Sequence, residues 1–160
     1  MTAQTGRTTM KWVNFILHDG TALRNLPINS LSVVGVTYDE VDLTAFQDAV
    51  KGRLPSMPDC PIEFGGPFDT SATATTPTLS GSHTVLSALN GVQTPRSLDI
   101  QIGIRHAWET GEPQFGITSS TTSGFIVTSY IVNPQEGTYT ARAVLYPGSS
   151  IPAWGTTAET

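Results

Sequence analysis

Residues 36 to 55 read "VTYDEVDLTAFQDAVKGRLP", and Asp39, Glu40, Asp42 and Asp48 fall within ten positions of one another. Carboxylates so close together suit a divalent cation, which needs several oxygens converging at roughly 2.0–2.6 Å, or acid/base work. A calcium loop of the EF-hand type carries a glycine at its sixth position and a glutamate at its twelfth. "DEVDLTAFQDAV" has threonine and valine there, so that signature is missing. Asp42 two residues before Thr44 matches a different use of these side chains, accepting hydrogen bonds from free backbone amides at a turn or helix start.

The other chemistry-bearing residues do not converge in sequence. His18, His83 and His106 form no HxH or HExxH pattern and have no neighbouring cysteine, so no zinc ligand set is spelled out. No GxSxG marks a serine nucleophile. "GGPFD" and "GVQTPR" match neither GxGxxG nor a P-loop, which removes the usual phosphate cradles. Catalysis, cofactors and metals are therefore not expected. Cys60 is the single cysteine, so no disulfide framework exists within the chain.

Composition narrows the partners. The chain has 160 residues with 8 Lys plus Arg against 13 Asp plus Glu, a formal charge of −5. A protein that grips a phosphate backbone or an anionic membrane needs the opposite balance. Only 13% of residues are charged, whereas 38 are Ser or Thr. That neutral, hydroxyl-rich skin suits a surface partly covered by neighbouring subunits. The N-terminal "MTAQTGRTTMKW" lacks a signal peptide's apolar core, and the chain has no run of 18 apolar residues, so a soluble protein made in a cytoplasm is expected.

The elements that must position these residues are mostly strands. "SLDIQIGIR" alternates, with Leu98, Ile100, Ile102 and Ile104 on one face and Asp99, Gln101 and Arg105 on the other, which predicts a half-buried strand. "GFIVTSYIV" and "GTYTARAVLY", separated by "NPQEG", predict a hairpin whose second arm turns Tyr139, Ala141, Ala143 and Leu145 to one side. The small residues at 141 and 143 imply close packing by another element. "KWVNFILH", "LSVVGVTY" and "CPIEFGG" add strands, for six to eight in all.

Helical spacing occurs twice. "SGSHTVLSALNG" has Val85, Leu86 and Leu89 in a stripe, Ser82 as a cap and Asn90-Gly91 as a stop. In the acidic stretch, Thr44 and Gln47 resemble a capping box, and Phe46, Ala49, Val50 and Leu54 recur at three- and four-residue intervals before Gly52 and Pro55 close a short helix. Residues 67–82 are almost all small, hydroxylated or turn-forming, an exposed loop of functional length. The fold expected is mainly β: an antiparallel β-sandwich or partial barrel flanked by one or two short helices. It forms a single domain over 1–160 with flexible arms at 1–10 and 149–160.

Trp12, Trp108 and Trp154, with four tyrosines, would also serve a sugar-binding platform. Core and interface roles are commoner for tryptophan. Trp154 lies in "SIPAWGTTAE", past the last expected strand, and a tryptophan on a tail needs a surface to lie on; docking on a neighbouring subunit is the expectation.

The order of these segments resembles the tail tube (major tail) proteins of long-tailed bacteriophages. The matching positions are Asp42, Thr44, Asp48, Leu54, Pro55, Ile62, Gly66, Phe68, the helix around Leu86 and Leu89, and the strands after Leu98. The likeness spans residues 30 to 148, with Met57 standing near a common glycine. It implies a non-enzymatic virion protein, six copies of which close a ring whose inner sheets join into a larger barrel. Rings then stack into a tube through which DNA passes without specific binding, with other tail proteins at the tube ends and no membrane contact. Trp12, Asp42, Thr44, Phe68 and Trp154 are the assembly candidates. A capsid decoration or head-tail connector protein is the alternative, and a carbohydrate-binding β-sandwich a more distant one.

Overall fold

The computed structural model describes residues 12–76, 78–103, 111–117 and 122–156. Eleven strands and one helix are present among them, in the order β1 (Trp12–His18), β2 (Leu23–Leu26), β3 (Ser30–Leu31), β4 (Thr37–Asp42), β5 (Arg53–Asp59), β6 (Ile62–Pro67), α1 (Ser82–Leu89), β7 (Leu98–Gly103), β8 (Pro113–Ile117), β9 (Phe125–Asn133), β10 (Thr138–Leu145) and β11 (Ala153–Thr156). They form a five-stranded sheet, β11-β8-β7-β1-β2, a four-stranded sheet, β3-β6-β10-β9, and a separate two-stranded ribbon, β4-β5. Every pairing between these strands is antiparallel. The result is a mainly β sandwich with one short helix and no closed barrel, as the alternation in the sequence implies.

Period-two patterning explains the core directly. On β7, Leu98, Ile100 and Ile102 sit opposite Leu17, Phe15 and Val13 of β1, and Ile100 opposite Phe115 of β8. From the facing sheet come Ile62, Phe64, Tyr139, Ala141 and Ala143, all buried. Phe15 and Phe64 bring the two sheets together with ring centroids 4.2 Å apart. The small Ala141 and Ala143 lie within this core cluster, in keeping with the expectation of close packing.

The β9–β10 hairpin forms as predicted, with Gly137 at φ +67°, a left-handed conformation that glycine adopts without penalty. Helix α1 lies against β9 and buries Ser82, Val85, Leu86 and Leu89, one face at helical spacing. Gly81, not Ser82, is its N-cap. The Ser82 hydroxyl instead donates to the Pro67 carbonyl (3.0 Å) and accepts from the Asp69 amide (3.2 Å), because the crossing loop offers a buried hydroxyl better partners than its own helix end. The helix stops at Asn90, followed by Gly91 at φ +81°.

Four sequence expectations give way. No helix covers 44–54: Leu54 and Pro55 belong to β5, and residues 43–52 form the tip of the β4–β5 hairpin. "LSVVGVTY" is not one strand but the end of β3, an irregular stretch, and the start of β4. The β7 strand is buried on both faces, since Asp99 and Gln101 are about as covered as Ile102. The C-terminal segment from 149, expected as an arm, carries β11, which adds to the edge of the chain's own sheet by pairing with β8. Residues 1–10, the other expected arm, lie outside the described residues.

Candidate assembly surfaces

The β4–β5 hairpin projects from the sandwich. All of β4 is exposed, and β5 is exposed except for a partly covered Pro58. Val41 faces Leu54 across the ribbon, while Glu40 and Arg53 on the other side make an exposed ion pair of 3.2 Å. Of the fourteen large apolar side chains exposed among the described residues, seven are on this hairpin: Tyr38, Val41, Leu43, Phe46, Val50, Leu54 and Met57. Pro55 and Pro58 blunt the β5 side of the ribbon, since proline offers no amide to a further strand.

Its tip is held by side-chain bonds in place of packing. The Thr44 amide donates to Asp42 Oδ1 (2.9 Å), the Gly52 amide to Thr44 Oγ1 (2.8 Å), the Ala45 amide to Asp48 Oδ2 (2.8 Å) and the Leu43 amide to the Gly52 carbonyl (2.9 Å). The Thr44 hydrogen bonds hold the Asp42 carboxyl below the usual carboxylate range. Asp42 and Thr44 are thus turn-formers, as their spacing suggested. The carboxylates do not converge on a point, and no group of three His, Cys, Asp or Glu among the described residues is placed to hold a metal ion.

At the base of the hairpin lies an apolar groove of about 630 Å³, between β1 and β7 on one side and the chain around β3 on the other. Val13, Ile28, Leu31, Val34, Ile102 and Trp154 line it, with Val33 on its rim 84% exposed. Trp154 rests on Phe115, ring centroids 5.0 Å apart, yet stays 53% exposed toward the groove. Its first contact is therefore with its own chain. Among the described residues no charged side chain lines the groove.

The remaining candidates scatter. Phe68 lies at the start of the 67–82 loop, 4.9 Å from the His83 ring, and His83 Nδ1 is 3.1 Å from the Tyr130 hydroxyl. Most of that loop's described residues are exposed, as expected, but it is tied to the body at several points. Ser80 donates its amide to Asn25 of β2, Arg24 donates to the Ala74 carbonyl, and a Cβ at Gly81 would collide with the Ser71 carbonyl. Trp12 opens β1 opposite Gly103; its side chain, like Trp108 and His106, lies outside the described residues. No single site gathers these five residues: Asp42 and Thr44 share the hairpin tip, Trp154 the groove, and Phe68 the helix start.

Sequence reasoning missed the projecting hairpin and the groove. The hairpin had a readable signal in Pro55 and Pro58 within an otherwise extended run. The groove had none, because Val33 and Val34 look like core residues until the strand around them breaks.

The two sheets present different outer faces. On the five-stranded sheet Ile16, Asn25, Asp99 and Gln101 are buried, with Asn25, Asn14 and Gln101 joined in a row by side-chain contacts of 3.4 Å. Burial pushes the Asp99 carboxyl up to about 6, offset in part by Gln114. The four-stranded sheet turns Glu63, Thr140, Arg142, Ile131 and Asn133 to solvent. Glu63 and Arg142 are register partners there, so the face is close to neutral. The Cys60 thiol is buried and pushed up to about 11 by burial and by the Asp59 charge, an inert state. No helix among the described residues is long and apolar enough to cross a membrane.

No protein-family model and no curated protein sequence matches this chain. Its fold is nonetheless similar to three solved components of tail-like particles. A chain of the anti-feeding prophage cap (AFP tube terminating cap) matches with TM-score 0.60 at 13% identity, over 98% of this chain and 95% of that one. A chain of the sheath/tube terminator of the extracellular contractile injection system PVC, in its extended state, gives 0.59 at 10% identity, over 96% and 99%. A chain of the PVC sheath-tube complex, also extended, gives 0.58 at 11% identity, over 94% and 93%. At these identities the likeness establishes a shared fold over nearly the whole length of each chain.

Proposed function

We propose that this protein is a structural subunit of a phage-tail-like tube, without catalytic activity, whose copies close into rings, six to a ring, that stack around a channel for DNA. The observation that carries this reading is the β4–β5 hairpin, which displays seven large apolar side chains and has no core of its own. An isolated two-stranded hairpin is marginal in water, and a clustered apolar surface of this kind is a mark of association. The fold shared with tube-associated chains supports the same reading.

Ring closure would use open sheet edges. The β2 edge is covered by Leu79 and Ser80, and the first part of β9 by bridges from Asn90 and Arg96. The second half of β9 and the two-residue β3 leave both sides of the four-stranded sheet available for continuation by neighbouring copies. The near-neutral, hydroxyl-bearing outer face of that sheet is then the proposed lumen wall, since transit of DNA requires weak contact and the net charge of −5 disfavours binding. Location in a virion tail or tail-like particle and contact with other tail proteins at the tube ends follow from this proposal.

Electron microscopy and sedimentation of the purified protein over rising concentration test it: rings and tubes support the reading, and persistent monomers at high concentration overturn it. The first two fold neighbours favour a second reading, a terminator that closes the tube. Single rings that never elongate would select it over the repeating subunit.

A further inference from the structure

We infer that the apolar groove at the hairpin base receives the hairpin tip of a second copy of this chain, a contact that rests on the assembly reading above and names its partner surface. Among the described residues, both halves of the contact are present in one chain without a partner. Phe46 at the tip is fully exposed and touches nothing, and Val33 at the groove rim is almost as bare. The six residues of β4, at about 3.3 Å each, hold the tip some 20 Å from its own base, so it does not fold back into its own groove.

Shape and charge agree with this occupant. A groove of about 630 Å³ falls within the roughly 300–1,000 Å³ of sites that bury an apolar group. The hairpin is acidic, with Asp39, Glu40, Asp42, Asp48 and Asp59 against Lys51 and Arg53. The groove has polar Asn29, Ser30 and Ser32 on its rim and, among the described residues, no carboxylate to repel such a tip. The tip is also rigid before it binds: the bonds from Asp42, Thr44 and Asp48 fix the turn that presents Phe46. With the backbone turn already held, docking costs the freedom of the Phe46 side chain but little of the loop's.

Tip and groove are different patches, so the contact is heterologous. Each copy that inserts its tip still offers its own groove to the next. Such a contact does not close on a pair; it propagates, as stacking requires.

The test uses full-length protein in two singly substituted forms, Gln47→Cys beside the intact Phe46 anchor and Val33→Cys, mixed and treated with a short bismaleimide cross-linker. Both positions are exposed, and the buried Cys60 of the parent chain serves as the background control. Covalent pairs joining the two forms are expected, in clear excess over pairs within either form. Separately, Phe46→Ala and Trp154→Ala are each expected to raise the concentration needed for assembly roughly tenfold or more, and the double variant little beyond either alone. If the parent forms rings or tubes but 33–47 pairs are missing, or Phe46→Ala assembles like the parent, the tip-in-groove contact is wrong while the tube reading stands. If the parent stays monomeric at every concentration, the tube reading itself fails.

Discussion

The sandwich body and the β4–β5 hairpin are built from the same kind of structure, antiparallel strands that carry large apolar residues, yet they treat those residues in opposite ways. In the body, Phe15, Ile100, Phe115 and Tyr139 are wholly buried between two sheets; on the hairpin, Leu54, Met57 and Phe46 face solvent. The body is a folding unit and the hairpin is not, because a ribbon of two strands has no second layer to bury against. Apolar patterning thus identifies a surface that must be covered, and the number of layers decides whether the chain itself supplies the cover. On the assembly proposed above, the hairpin's cover comes from a second copy of the chain.

That contrast is open to direct attack. Ile100→Ala, in the middle of the central strand, should lower the unfolding free energy by roughly 2–5 kcal/mol in denaturant titration. A loss no larger than that of an exposed apolar residue such as Leu54 would erase the distinction between body and hairpin.

The body also hides a titrating group. With its folded-state carboxyl raised from 3.8 to about 6, Asp99 favours the native state fully below pH 3.8. That contribution is lost as pH rises through about 6, because ionising the carboxyl inside the sheet forfeits hydration. At about 1.4 kcal/mol per pKa unit, Asp99→Asn should gain roughly 2–3 kcal/mol relative to the parent at pH 8 compared with pH 4. A parallel pH profile for the two proteins would show that the outer face of the five-stranded sheet is wetter than its burial implies.

On the hairpin, effects should be local. Thr44→Ala removes the acceptor of the Gly52 amide and should speed exchange of the Gly52 and Leu43 amides about fivefold, corresponding to about 1 kcal/mol. Global stability should not move; a cooperative loss would make the tip part of the folding unit. The smallest effect is expected from the largest change. Thr37 and Asp59 face each other at the base, so excising 38–58 and joining them through Asn-Gly should leave monomer stability within about 1 kcal/mol while abolishing assembly.

The strand starting at Leu98, the β9–β10 hairpin and helix α1 were all readable, because each has a local pattern that its tertiary partners reinforce; β8 and β11 were not. The 44–54 segment was misread for the reverse reason. Phe46, Ala49, Val50 and Leu54 fit a helical face, but a helix of two or three turns forms only when it has a surface to pack on, and this tip has none. Asp42, Thr44 and Asp48 meanwhile offered the backbone side-chain partners that compete with helix formation. As for the candidate surfaces, Asp42 and Thr44 were recognised as turn-formers from spacing alone. Trp154 was recognised as needing a surface, but the identity of that surface was out of reach, since β11 pairs with a strand 40 residues earlier.

By itself the sequence determined the class of the fold, the inner faces of β7 and β10, the helix and its stop, and the turn role of Asp42 and Thr44. All of these follow from period, capping chemistry and backbone preference within a dozen residues. Only the tertiary structure decided that Asp99 and Gln101 would be buried, that residues 37–59 would leave the sandwich with their apolar side chains bare, and that Val13, Ile102 and Trp154 would meet in a groove. Each of these depends on which elements lie across from one another, and burial is a property of the pair of surfaces, never of the strand alone.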